Sequence, residues 1–177
     1  LIYTSGSTGH PKGVAISHNA AAEMVRWAGT VYSTEELSGV LVSTSISFDL
    51  SIFEIFVPLA HGGAVILADN LLTLSKLPSR NRVSLLNTVP SLLRQLLHST
   101  TLPQSIQTIN LAGEALPSDL VADIHKRGIA KIYNLYGPSE DTTYSTFTSL
   151  HQGEFDPATE TVNIGRPIDN THAFVLN

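Results

Sequence analysis

Cysteine is absent from the 177 residues. Without thiols there is no disulfide framework and no thiolate metal site, which fits a cytoplasmic protein. Basic residues are few: 10 Lys and Arg stand against 15 Asp and Glu, for a formal charge of −5, and they form no cluster. A nucleic-acid face needs Lys and Arg to neutralise phosphates, so no nucleic-acid partner is expected. No apolar run approaches the ~20 residues of a bilayer span, so no membrane role is expected either. The strongest run, residues 52–60, is interrupted by Glu54 and Pro58. The seven histidines make neither an HExxH pattern nor a close pair, which argues against a histidine-bound metal. An initiator Met and a signal peptide are also missing. The chain opens inside the apolar run Leu1-Ile2-Tyr3 and stops inside Ala173–Leu176. Both ends read as strands cut through, so residues 1–177 are expected to be one partial domain truncated at both ends.

What is present is an alternation of short β-rich runs with helical stretches. Leu1–Thr4 and Val14–Ile16 read as strands around a Gly/Ser/Thr loop. Ser17 is placed to cap a helix over about 18–32. Val40–Thr44 reads as a strand, and Asp49–Leu59 as a helix ending near Gly62-Gly63. Further strands are expected at 64–67, 83–87, 106–111 and 132–135. Helices start at Pro90 and at Pro117, with Gly128 just past the end of the second. Asn70–Asn81 reads as a polar connection. The charge pairs Glu35-Glu36 and Lys126-Arg127 read as solvated surface, His125 as a helix-end residue and His61 as a loop residue. Repeated strand–helix units imply an α/β fold, layered around a largely parallel sheet, with ligands at the carboxyl ends of its strands.

Two segments carry chemistry. In Thr4-Ser5-Gly6-Ser7-Thr8-Gly9-His10-Pro11-Lys12-Gly13, glycines let backbone N–H groups converge on an anion, four hydroxyls add donors, and Lys12 adds charge. The spacing is neither a Walker A loop nor GxGxxG. In Asn134-Leu135-Tyr136-Gly137-Pro138-Ser139-Glu140, a strand end offers a ring for stacking, an amide for reading a base, and a hydroxyl and carboxylate for phosphate and Mg2+. Taken singly, the first is also a mobile Ser/Gly loop and the second a tight turn.

Together, TSGSTGxPKG followed by NxYGPxE resembles the signature pair of the adenylate-forming superfamily. Phe48-Asp49-Leu50-Ser51 resembles the FDxS segment of amino-acid adenylation domains of nonribosomal peptide synthetases. Ala112-Gly113-Glu114-Ala115 resembles their GGEA turn, and Asn163-Ile164-Gly165-Arg166-Pro167-Ile168 their IGRPI segment. The resemblance covers essentially the whole chain. It implies an incomplete N-terminal core domain, without the small C-terminal domain.

The implied activity is ATP-dependent conversion of an amino acid to an aminoacyl-adenylate. Transfer to a phosphopantetheine thiol on a carrier domain would follow, with carrier and condensation domains of the parent synthetase as partners. By resemblance, Thr4, Ser5, Gly6, Ser7, Thr8, Gly9 and Lys12 hold the β- and γ-phosphates of ATP. Gly113, Glu114 and Ala115 border the adenine, Asn134 reads it, and Tyr136 packs on it beside Gly137. Ser139, where Thr is usual, meets the α-phosphate, and Glu140 holds Mg2+. Lys12, Ser139 and Glu140 are thereby the catalytic set. Asp141 after Glu140 is less usual and alters the local field.

Asp49 matches the position that pairs with the substrate ammonium, although by sequence alone it is equally a helix N-cap. The remaining pocket positions carry over to Leu50, Phe53, Asn87, Asn110, Ala112, Leu135, Thr143 and Tyr144. None is charged, which disfavours a charged side chain, and Phe53, Leu135 and Tyr144 are bulky. The two asparagines are expected to satisfy each other or to read a small hydroxyl. A short neutral side chain follows: alanine, then glycine, then serine. The set also resembles those of alanine- and glycine-activating domains of cyanobacterial synthetases, including the microcystin type.

The ribose-binding aspartate, the hinge and the C-terminal lysine of the family have no counterpart in these residues. Lys76, Lys126 and Lys131 lie in no matching motif, so the 177 residues alone are expected to be inactive. Alternatives are an acyl- or aryl-CoA ligase of the same superfamily and a non-catalytic nucleotide-binding module.

Overall fold

A computed structural model describes residues 1–4, 10–152 and 162–176. Two short strands, β1 (Ile2–Thr4) and β2 (Lys12–Val14), pair antiparallel, with Thr4 opposite Lys12. The second begins earlier than the expected Val14–Ile16. Ser5 to Gly9, expected to hold phosphates, lie outside the described residues.

The helices form where the sequence provides caps and stripes. In α1 (His18–Val31) the Ser17 Oγ accepts a hydrogen bond from the Ala20 N–H at 3.1 Å. Met24, Trp27 and Ala28 make the buried stripe. The next helix, α2 (Leu50–Ala60), buries Phe53, Glu54 and Val57, with Pro58 in its last turn. Pro90, which has no N–H to leave unpaired, opens α3 (Pro90–Ser99). Leu120, Val121 and Ile124 are buried on α4 (Ser118–Lys126), which closes toward Gly128 at φ +89°.

Between them run β3 (Val40–Val42), β4 (Val65–Leu67), β5 (Leu85–Thr88), β6 (Thr108–Leu111), β7 (Lys131–Tyr136), β8 (Thr146–His151) and β9 (Arg166–Pro167). They form one sheet in the order β4-β3-β5-β6-β7-β8-β9. The first five of that order are parallel; β8 and β9 add antiparallel. This is the expected α/β layered fold. Side chains alternate across it. Leu86, Ile109 and Ile132 pack with Leu93 and Leu96 of α3 and Leu120 and Ile124 of α4. Leu85, Tyr133 and Leu135 face Trp27 of α1 and Phe53 and Val57 of α2.

Two expectations are corrected. Within the supposed polar connection at 70–81, Leu71–Lys76 and Arg80–Arg82 form 3-10 turns, and Leu71 and Leu74 are buried in the core. Glu36 is not solvated surface: it is 3% exposed and accepts from the Ser33 N–H at 2.8 Å, the Thr108 hydroxyl and Lys131 Nζ at 3.0 Å. A buried carboxylate survives because these donors and the cation replace its water. His125 does lie at the end of α4, its Nδ1 2.8 Å from the Ile129 carbonyl. His61 caps α2, with Nε2 2.9 Å from the Val25 carbonyl. Among the described residues no helix is long and apolar enough to cross a membrane.

Candidate active site

A cleft of about 360 Å3 lies across the carboxyl ends of four neighbouring parallel strands. Ser43 and Thr44 follow β3, Asn87 and Thr88 end β5, Ala112 and Gly113 follow β6, and Gly137 and Ser139 follow β7. This is where an open parallel sheet gathers ligands, because the loops there diverge and the strand ends point into the gap.

One wall is the head of α2, where Phe48, Asp49 and Leu50 line the cleft. Asp49 is half-buried and makes no side-chain cap bond to α2. The capping role that sequence alone allowed is therefore not what holds it. No described residue pairs with its carboxylate, while its backbone carbonyl accepts from the Thr143 hydroxyl at 3.2 Å. That bond ties the loop after β7 to the head of α2.

The same loop is tightly wound. Thr142 and Thr143 sit at φ +61° and +73°, where a β-branched residue is strained. The Ser145 N–H returns to the Tyr136 carbonyl at 2.7 Å. A Cβ on Gly137 would lie 2.7 Å from backbone atoms of Thr143, Tyr144 and Ser145, so this turn requires glycine.

The floor is polar on one level and aromatic below it. Asn87 and Asn110 are register partners on β5 and β6, both essentially unexposed. They do not satisfy each other, as the sequence suggested. Instead Asn87 Oδ1 accepts from the Tyr144 hydroxyl at 2.8 Å, and Asn110 Oδ1 from the Tyr32 hydroxyl at 3.0 Å. Each amide Nδ2 is buried without a partner. Burial pushes the Tyr144 and Tyr32 hydroxyls well above the usual tyrosine range, so both remain donors. Beneath, the Phe53 ring meets those of Tyr32 and Tyr144 edge to face, each at 5.5 Å.

Of the carried-over pocket residues, Asp49, Leu50, Asn87, Ala112, Thr143 and Tyr144 line the cleft. Phe53, Asn110 and Leu135 are buried and do not line it. Phe48, read only as part of the Phe48–Ser51 motif, also lines it, and Ser43, Thr44, Thr88, Val89 and Leu92 were missed. The rule that ligands gather at strand ends could have flagged Ser43, Thr44, Thr88 and Val89, whereas Leu92, inside α3, carries no such signal.

The residues expected to meet the nucleotide are more dispersed. Ser139 and Gly137 border the cleft. Tyr136 presents a ring 51% exposed at the end of β7. Glu140, in the short 3-10 turn Ser139–Asp141, is exposed and has no partner among the described residues, whereas Asp141 accepts from the Ser145 hydroxyl at 2.6 Å. Asn134 points to the other side of β7, its amide donating to the Asn163 carbonyl at 2.9 Å. The Glu114 carboxylate caps α3, accepting from the Ser91 N–H at 3.0 Å and the Ser91 hydroxyl at 2.7 Å. Ala115 beside it lines a separate groove along α3. Thr4 and Lys12 are the register pair of the β1–β2 hairpin next to the residues that connect its strands.

No cluster of three His, Cys, Asp or Glu residues able to cage a metal occurs among the described residues. Mg2+ needs none: it commonly keeps several waters and takes one or two carboxylates plus phosphate oxygens. The free, exposed Glu140 fits that donor set.

The family model of the AMP-binding enzymes matches residues 1–177. A linear gramicidin synthase of Brevibacillus parabrevis is 53% identical over 178 residues, a match covering all of this chain and 3% of that protein. Two solved structures share the fold. The Vibrio cholerae adenylation domain AlmE, in complex with glycyl-adenosine-5'-phosphate, superposes with a TM-score of 0.81 at 26% identity, over 94% of this chain and 32% of that one. The Bacillus subtilis O-succinylbenzoate coenzyme A synthetase MenE, in complex with ATP and magnesium, gives 0.80 at 26% identity, over 96% and 35%.

Proposed function

Since the chain belongs to the AMP-binding enzyme family, and within it to the adenylation type of nonribosomal peptide synthetases, we propose that its cleft binds a small neutral amino acid for activation by ATP. Alanine is the favoured substrate and glycine the next. The observation that carries this reading is the Asp49 carboxylate, without a partner among the described residues, at the mouth of an otherwise uncharged cleft closed by Tyr144. A carboxylate in that position offers an ammonium group a counter-ion. The uncharged lining, with the bulky Phe53 and Tyr144 rings buried at the floor, favours a short neutral side chain. The glycyl-adenylate held by the Vibrio cholerae relative agrees in size.

The chemical task is to bring a substrate carboxylate to the α-phosphate of ATP, anion against anion. Asp49 orients the amino acid by its ammonium group. The Ser139 hydroxyl, on the cleft's rim, donates to the α-phosphate oxygen. Lys12 and the loop it closes offset the charge of the outer phosphates. Mg2+ on Glu140, when bound, supplies further neutralisation of the phosphate oxygens. The adenylate would then pass to a phosphopantetheine thiol on a carrier domain of the parent synthetase, in the cytoplasm.

The test is ATP–pyrophosphate exchange by the complete adenylation domain, scanned over the twenty amino acids together with fatty and aryl acids. Highest exchange with alanine or glycine is expected. Exchange only with large amino acids would overturn the pocket reading, and exchange confined to acids without an ammonium group would favour an acyl- or aryl-CoA ligase.

A further inference from the structure

Glu54 has no place in the chemistry above, yet it is a fully buried carboxylate one turn and a half along α2 from Asp49. Both of its oxygens are used. Oε2 accepts from the Ser43 N–H at 3.1 Å and the Thr44 N–H at 3.2 Å, and Oε1 accepts from the Thr44 hydroxyl at 2.8 Å. Ser43 and Thr44 are the residues through which β3 runs out into the wall of the cleft. No lysine, arginine or histidine bonds to Glu54 among the described residues. The buried Tyr144 hydroxyl, from the loop after β7, feels the charges of both Glu54 and Asp49, the residue that precedes α2.

A structural carboxylate need not be buried at this point. Satisfying two backbone N–H groups and one hydroxyl is within the reach of a neutral amide or of water. An unpaired charge is costly to bury, and a group that carries one must gain from strong, directed acceptance. Here the gain is that β3's exit and the head of α2, the two elements that present Thr44 and Asp49 to the same cleft, are fastened to each other by one side chain.

We propose that Glu54 is a positioning residue for amino-acid binding: it holds the Ser43–Thr44 wall against α2 and so sets where Asp49 meets the substrate. The inference rests on the reading of the cleft as the amino-acid site. Because burial raises the Glu54 carboxyl to about 7, the fastening changes strength in the neutral range. The ionised form accepts all three bonds with charge assistance; the protonated form keeps the two from the backbone N–H groups without it and donates to the Thr44 hydroxyl instead of accepting from it. Amino-acid affinity therefore falls as pH drops from 8 to 6, while ATP affinity, governed by other loops, does not follow.

The experiment is pyrophosphate exchange by the complete adenylation domain, with KM measured separately for ATP and for its best carboxylic-acid substrate between pH 6 and 8. The wild type and Glu54→Gln are compared. Glutamine is isosteric and mimics the protonated state at every pH. The expected result is an amino-acid KM raised about fivefold to tenfold at pH 8, flat across the pH range, with ATP KM within about twofold of wild type. Thr44→Val, which removes the hydroxyl donor alone, is expected to give a smaller shift in the same direction. An unchanged amino-acid KM and pH profile in Glu54→Gln, or equal rises in both KM values, would overturn the proposal even if the variant melted earlier. Should the best substrate prove to lack an ammonium group, the proposed function fails. The split between the two KM values still decides whether Glu54 positions the wall.

Discussion

The Tyr144 hydroxyl donates to Asn87 Oδ1 at 2.8 Å, joining the loop after β7 to the end of β5 beneath the cleft. This bond makes the floor a rigid part of the sheet. It is paralleled one strand over by Tyr32 and Asn110, and the two rings clasp Phe53 between them.

Tyr144→Phe keeps the ring and removes the donor, leaving Asn87 Oδ1 buried without a partner. The expected cost is about 1–3 kcal/mol, read from chemical denaturation of the complete domain. The order of preference among amino acids is expected to stay as in the wild type, because the ring volume that closes the cleft is retained.

Asp49→Ala separates the two roles the sequence allowed. A lost N-cap costs about 0.5–2 kcal/mol, but Asp49 makes no cap bond. Stability is therefore expected to change by less than about 0.5 kcal/mol. Amino-acid-dependent exchange is expected to fall about 100-fold or more, since a charged substrate group loses its partner.

Glu54 gives a pH dependence of stability with a definite sign. Its carboxyl is raised by burial from the ordinary value of 4.5 to about 7, so between those values the folded state holds a proton that the unfolded chain has released. The contribution is fully present below pH 4.5 and is lost as pH rises through 7, on the order of 3 kcal/mol. Glu54→Gln cannot ionise and lacks this slope. The melting temperature of the variant relative to wild type is therefore expected to rise between pH 4.5 and 7.5, as differential scanning calorimetry would record.

Phe53→Ala removes the ring that seals the floor, where it is fully buried between Tyr32 and Tyr144. The stability loss expected for such a truncation is about 3–5 kcal/mol. The space opened lies directly below the cleft, so exchange with valine or leucine relative to alanine is expected to increase. Phe53→Leu, a milder change, is expected to show the same direction if the alanine variant does not fold.

Much of the architecture was legible because its signals are local. Ser17 and Pro90 start helices for reasons contained in one turn of chain, and each strand run has its punctuation beside it. The failures share a cause. Leu71 and Leu74 were hidden in a polar-looking stretch because only tertiary packing identifies which face of a 3-10 turn is inward. Glu36 finds its cation, Lys131, 95 residues away, a distance at which a charge run and a buried ion pair look alike in sequence. The asparagines Asn87 and Asn110 could be placed in one pocket from their motif positions. That each would face a tyrosine rather than the other depends on α1 and on the loop after β7 converging from opposite ends of the chain. Glu54 reads in sequence only as a break in an apolar run, because a glutamate inside a helix usually faces water.

The most direct measurement is pyrophosphate exchange by the complete domain with alanine and with propionate. The two acids share carbon skeleton and carboxylate and differ in the ammonium group that Asp49 is held to bind. Exchange with alanine is expected to exceed that with propionate by about 100-fold or more at equal concentration. Equal rates, or a preference for propionate, would contradict the assignment of the cleft as an amino-acid site.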